Sequence, residues 1–199
     1  MKLIFISGPS GSGKTTLSNK IIKKNKNGYV LNTDNYYKTG LVSKFLSIFI
    51  KGFFDRRMSF NYKLFKKDFD FIFENRFSIH DRYYNFEKKT IKNILNKTNN
   101  ISFLIVEGIF AKEISNNLNQ NYYFLEIKIK KNDCMKRVIQ RDLKERGKNK
   151  KQAESDFLKS WEIYYEKFKN NNKNYNNNNI NKFIIKNTNL DEIMKKLFN

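Results

Sequence analysis

The chain has 199 residues, a formal net charge of +21 and a single cysteine. That length suits one domain with a substantial core. One cysteine, Cys134, excludes a disulfide framework within the monomer and fits a reducing, cytoplasmic compartment.

Cys134 has no implied histidine or acid partner, so it is not read as a catalyst. No secretory leader is read, because residues 1–7 run straight into a glycine-rich loop. No uncharged apolar stretch approaches the ~20 residues of a membrane helix, so no membrane partner is expected. The lysines are dispersed along the chain rather than gathered in one block. The charge therefore favours anionic small ligands such as ATP, with no dedicated nucleic-acid partner.

Lys2-Leu3-Ile4-Phe5-Ile6-Ser7 reads as a buried parallel strand. Gly8-Pro9-Ser10-Gly11-Ser12-Gly13-Lys14-Thr15 then fits the phosphate-loop pattern G-x-x-x-x-G-K-[ST] at every required position. Glycines let successive backbone N–H groups point at one anion. Lys14 can reach the β- and γ-phosphates, and the Thr15 hydroxyl can ligate Mg²⁺. Residues 15–24 read as an amphipathic helix whose N-terminus adds its dipole to the same site.

Residues 28–34 read as a second strand ending in Asp34. A carboxylate there faces the crevice where α/β folds bind ligands, and it could accept the proton of an attacking hydroxyl. It reads equally as a cap for the next turn. Residues 41–54 have a helical period, with apolar positions 41, 42, 45, 46, 49, 50 and 53. The Phe- and Lys/Arg-rich residues 53–77 are left unassigned. His80, beside Asp81, is given no role. Residues 86–96 read as a helix. Ile101-Ser102-Phe103-Leu104-Ile105-Val106-Glu107-Gly108 is the clearest buried strand, and Glu107 at its end suits a Mg²⁺ ligand. Residues 122–129 read as a strand. Asn132 is read as the cap of a helix to about residue 145, which carries basic residues before a Gly147 stop. Residues 152–168 read as a helix, 170–181 as an asparagine-rich loop, and 182–185 as a last strand. Asn189 with Glu192 opens a closing helix as a capping arrangement.

Five of these segments together resemble the uridine kinase and phosphoribulokinase family of P-loop kinases. They are the loop Ile6–Thr16, Thr33-Asp34-Asn35-Tyr36-Tyr37-Lys38, Tyr84-Asn85-Phe86, Val106-Glu107-Gly108-Ile109, and Arg141-Asp142-Leu143-Lys144-Glu145-Arg146-Gly147-Lys148. The resemblance implies that Asp34 is the general base and that Tyr84 and Phe86 contact a nucleoside. It implies a basic lid at about 137–152. Departures lie on the acceptor side. Lys63 stands where the family has a nucleoside-binding Asp, Lys89 where it has a histidine, and Val138 where it has a further arginine.

The expected architecture is a P-loop NTPase-like α/β/α domain over residues 1–199, with a mostly parallel sheet of about five strands. An acceptor-side insertion is expected at about 40–85. The expected activity is ATP- and Mg²⁺-dependent phosphorylation of a small-molecule hydroxyl, foremost the 5′-hydroxyl of uridine or cytidine. Gly8, Ser10, Gly11, Ser12, Gly13, Lys14, Thr15 and Thr16 would bind the phosphates, with Arg141 and Arg146 neutralising them. Thr15 and Glu107 would hold Mg²⁺. Asp34, Tyr37, Tyr84, Phe86 and Arg141 would meet the acceptor. Nicotinamide riboside, pantothenate or another sugar alcohol remain open as acceptors, as do a non-catalytic nucleotide- or nucleic-acid-binding role and self-association.

Overall fold

In a computed structural model, the structure describes residues 1–118, 120–171, 180–185 and 189–198. Five strands, β1 (Lys2–Ser7), β2 (Gly28–Asn32), β5 (Phe103–Glu107), β6 (Tyr122–Ile127) and β7 (Ile180–Ile185), form one sheet in the order β2-β5-β1-β6-β7. Every pairing in it is parallel. The two-residue strand period sorts the core. Leu3, Phe5, Leu104, Val106 and Phe124 face one layer, while Ile4, Ile6, Ile105, Leu125 and Ile127 face the other. Helices α1 (Lys14–Lys24) and α7 (Leu190–Phe198) cover the second face through Leu17, Ile21, Ile193 and Leu197. The first face is covered by α3 (Tyr62–Glu74) and α4 (Ala111–Ser115). The asparagine-rich run at 170–181 falls largely outside the described residues.

Several expectations need correction. Residues 86–96 are not helical: β3 (Ser78–Asn85) and β4 (Thr90–Lys97) form an antiparallel hairpin over this region. Thr90, Ile91 and Ile94 are β-branched, and an available partner strand captures them. The turn between the strands is closed by the Asn85 carbonyl accepting from Lys89 N at 2.8 Å, with Lys89 at φ 53°. The helix expected over 41–54 is α2 (Leu41–Phe49) and stops before Gly52, whose φ of 68° leads into a 3₁₀ turn at Phe53–Asp55. Strand β2 ends at Asn32, and Asp34 lies inside a 3₁₀ turn that Asn32 caps, its side chain accepting from Asp34 N at 2.8 Å. Asp34 is therefore not itself the cap. Asn132 is not a cap either, since α5 (Lys131–Glu145) begins before it. The Asn189 cap is present, its side chain accepting from Asp191 N and Glu192 N.

The hairpin is anchored by buried polar pairs. Arg82 grips the buried Asp68 of α3 at both carboxylate oxygens through Nε and Nη2, and Tyr36 donates to the same carboxylate at 3.0 Å. Asp81 accepts from Tyr29 and Asn96. Breaking such a buried pair strands a charge, so the hairpin is fixed in one position over the sheet.

Candidate functional site

The carboxyl ends of β1, β2 and β5 lie side by side, with Ile6 and Asn32 both paired to Glu107. That register brings the glycine loop, the Asp34 turn and Glu107 together. Gly13 caps α1 at φ 93°, and Gly11 sits at φ 78°, conformations that favour glycine. A Cβ on Gly11 would also meet the Cys134 carbonyl at 2.6 Å, so the loop is pressed against α5. Arg137 adds a second tie, donating to the Gly11 carbonyl at 3.3 Å. Cys134 itself is fully buried, and burial pushes its thiol up to about 11, the behaviour of a packing residue.

Lys14 Nζ donates to the carbonyls of Gly8 and Pro9 at 3.0 Å each. Burial pulls its ammonium below the usual lysine range, while Glu107 and Asp34 pull it back up. Glu107 is almost fully buried, and burial raises its carboxyl against the opposing pull of Lys14. Thr15 Oγ1 donates to Glu107 Oε1 at 2.9 Å. A hydroxyl and a carboxylate side by side are hard oxygen donors of the kind Mg²⁺ takes while keeping several waters. The Ser12 hydroxyl is buried inside the loop with no hydrogen-bond partner among the described residues, which suits a loop that would receive phosphate oxygens. Thr16, next to Thr15, is solvent-exposed at the start of α1.

Gly108 explains why Asp34 sits where it does. It follows Glu107 at φ 138°, and a Cβ there would lie 1.8 Å from Thr33 Oγ1. Only glycine lets the Asp34 turn close on the end of β5. Tyr37 donates its hydroxyl to Asp34 Oδ1 at 3.3 Å. Burial raises the Tyr37 phenol well above its ordinary value, so it stays a neutral donor.

A cleft of about 1080 Å³ opens in front of these groups, lined by Ser10, Asp34, Tyr37, Tyr84, Phe86, Arg141 and Arg146 among others. Tyr37, Tyr84 and Phe86 meet edge to face at centroid distances of 5.0–5.6 Å. Arg141 and Arg146 come from the end of α5 and the junction to α6 (Lys150–Asn171). Both lean on Asp142, which Lys148 also contacts at 3.0 Å. Burial alone would raise the Asp142 carboxyl; Arg146, with hydrogen bonds from Arg141 and Lys148, reverses this and holds it below its usual range. The Arg146 guanidinium lies 4.7 Å over the Phe86 ring, joining the basic junction to the aromatic wall.

The structure thus brings together Ser10, Asp34, Tyr37, Tyr84, Phe86, Arg141 and Arg146 around one opening, with Lys14, Thr15 and Glu107 at the strand ends behind. Lys63 lies outside this lining. Sequence reasoning missed Phe54 and Asp55, which share the cleft with Lys89, the acceptor-side departure already noted. Phe54 packs edge to face on Tyr37 at 5.0 Å, and Lys89 Nζ stands 4.4 Å over the Phe54 ring. Asp55 accepts from Ser160 Oγ at 2.7 Å. Phe54 and Asp55 follow no motif and emerge from the unassigned stretch. Asp142 lay within the quoted basic segment without a role. His80 shares a contact with Asn93 at 3.3 Å and packs on Phe71, far from this set in function.

The model of the phosphoribulokinase/uridine kinase family matches residues 3–189. The chain belongs to that family. It is 32% identical over 171 residues to a uridine kinase of Borrelia duttonii, covering 84% of this chain and 80% of the relative. It is 33% identical over 156 residues to a uridine kinase of Ureaplasma parvum, covering 74% and 72%. A solved structure described as a possible uridine kinase from Bacillus stearothermophilus shares the fold, with a TM-score of 0.54 at 14% identity over 83% of this chain and 81% of that one. Membership of this kinase family makes the chain a phosphotransferase with an alcohol group as acceptor.

Proposed function

We propose that the protein transfers the γ-phosphoryl group of ATP to the 5′-hydroxyl of a pyrimidine nucleoside. The observation that carries this reading is that one cleft is lined by the phosphate loop's Ser10, Asp34 of the turn after β2, an aromatic wall and two arginines. Relatives of similar length named uridine kinase support the acceptor.

Little covalent chemistry is asked of the protein in phosphoryl transfer; positioning and electrostatics dominate. The loop amides and Lys14 cradle the β- and γ-phosphates. Thr15 and Glu107 would hold Mg²⁺, which when bound offsets charge on the phosphate oxygens. Asp34 accepts the proton of the acceptor hydroxyl, while the Tyr37 hydroxyl fixes the carboxylate's orientation. Tyr37, Tyr84 and Phe86 give the flat apolar surface that a base or sugar face needs. Asp55 supplies a carboxylate for ribose hydroxyls, a role the chain cannot give to Lys63. Arg141 and Arg146, with Asp142 as hub, form a lid at about 137–152 whose charge meets that of the transferred group. Residues 40–85 supply the acceptor side. The whole chain acts as one kinase unit.

A kinase of the same fold with another acceptor is the second reading, and Lys89 in the cleft favours it. The test is a product assay by mass, with ATP, Mg²⁺ and a panel of uridine, cytidine, nicotinamide riboside and pantothenate. Uridine or cytidine monophosphate is the expected product. A phosphorylated product from another acceptor alone would move the substrate; no product from any would overturn the reading.

A further inference from the structure

Helix α2 is inside out. Its buried side chain is Ser43, whose hydroxyl donates to the Lys38 carbonyl at 2.7 Å. Leu41, Val42, Phe45, Ile48 and Phe49 are instead 61–82% exposed. Among the described residues, Phe45 and Phe49 make ring contact only with each other, at 4.5 Å. On the 100° helical wheel these residues share one broad arc with Leu46, and Ser43 and Ser47 oppose it. Five large apolar side chains on one nine-residue helix make a continuous patch of the kind that marks an interaction surface.

The surrounding charge says what covers it. Lys44 sits at the edge of the apolar arc, placed to run its stem along the patch and lift its ammonium beside it. Lys38 and Lys51 flank the helix and are exposed. Between Lys38 and Arg57 the sole acid is Asp55, which is turned to the cleft and bound to Ser160. A second copy would bury the patch but would bring two Lys44 edges together on chains that each carry +21. An anionic partner meets both requirements. A short amphipathic helix with Phe, Leu and Ile on one side and lysines at the margin is the form of an interfacial helix that lies in the headgroup boundary.

We propose that α2 docks this protein on an anionic lipid surface. This revises the expectation of no membrane partner: the helix lies on the surface, and among the described residues no helix is long and apolar enough to cross a membrane. Ser47, Ile48, Ile50 and Lys51 also line the cleft, so the docked face adjoins its mouth.

The test is co-sedimentation of the full chain with vesicles of phosphatidylcholine alone and with about one-third phosphatidylglycerol, at low and high salt. Anionic vesicles are expected to bind at least about tenfold more tightly than neutral ones, weakening with salt. Phe45→Ser with Phe49→Ser, residues outside the cleft, should lower that binding by about tenfold or more, with ATP binding and melting temperature kept as folding checks. Lys44→Glu, which leaves the apolar arc intact, should weaken anionic binding several-fold and leave neutral vesicles unaffected. Three results would overturn the proposal: no binding to anionic vesicles, equal binding to neutral ones, or a double serine variant that binds like wild type. Sedimentation showing a wild-type oligomer that the double variant dissolves, without vesicle binding, would assign the face to a second copy instead.

Discussion

Lys14, Glu107 and Thr15 form a small balanced set at the end of the sheet. Lys14 loses solvation, and its neighbouring acids return part of that cost. In the proposed transfer, replacing it would remove a fixed positive charge where negative charge builds. Lys14→Ala should lower kcat/KM by about two to three orders of magnitude, measured by steady-state kinetics. The loop and the acid were legible in the sequence because phosphate chemistry fixes both residue type and spacing. Asp55 and Phe54 were not, because their place in the cleft is made by a 3₁₀ turn that follows no fixed spacing.

At the scale of elements, Gly108 joins two functional segments. Gly108→Ala would force Thr33 away from the end of β5 and take Asp34 with it. It should cost about 2–4 kcal/mol in chemical denaturation and lower activity together with stability. Asp142 organises the basic junction from a nearly fully buried position, its three cations about a third exposed. Asp142→Asn should cost about 1–2 kcal/mol at neutral pH, a value kept low by that exposure. Because its carboxyl is held below the usual range, its stabilisation is present above that range and lost as pH falls through the lowered value. Melting temperatures of wild type and variant should therefore converge in strong acid. The parallel strands were readable as short apolar runs, since a strand buried on both faces needs no alternation. The hairpin was misread because Ile91, Ile94 and Leu95 suit a helical period as well as a strand.

At the scale of the molecule, the sheet order places β1 between β5 and β6, so the glycine loop leaves the centre of the sheet with Glu107 beside it. The two core layers follow from the alternation within each strand. The orientation of α2 could not be read in this way. A helical period reports which residues share a side, and only tertiary packing decides whether that side faces in or out. The net charge likewise gave a sign without a location; the structure gathers Arg141, Arg146 and Lys148 at the cleft, whereas Lys44 stands beside an exposed apolar face.

The most direct test of the central claim compares Asp34→Asn with wild type in ATP- and Mg²⁺-dependent phosphorylation of uridine, with ATP affinity measured separately. The expected result is a loss of about two to four orders of magnitude in kcat with ATP binding nearly unchanged. A variant that turns over uridine at the wild-type rate would contradict Asp34 as the proton acceptor, and with it the proposed arrangement of the cleft.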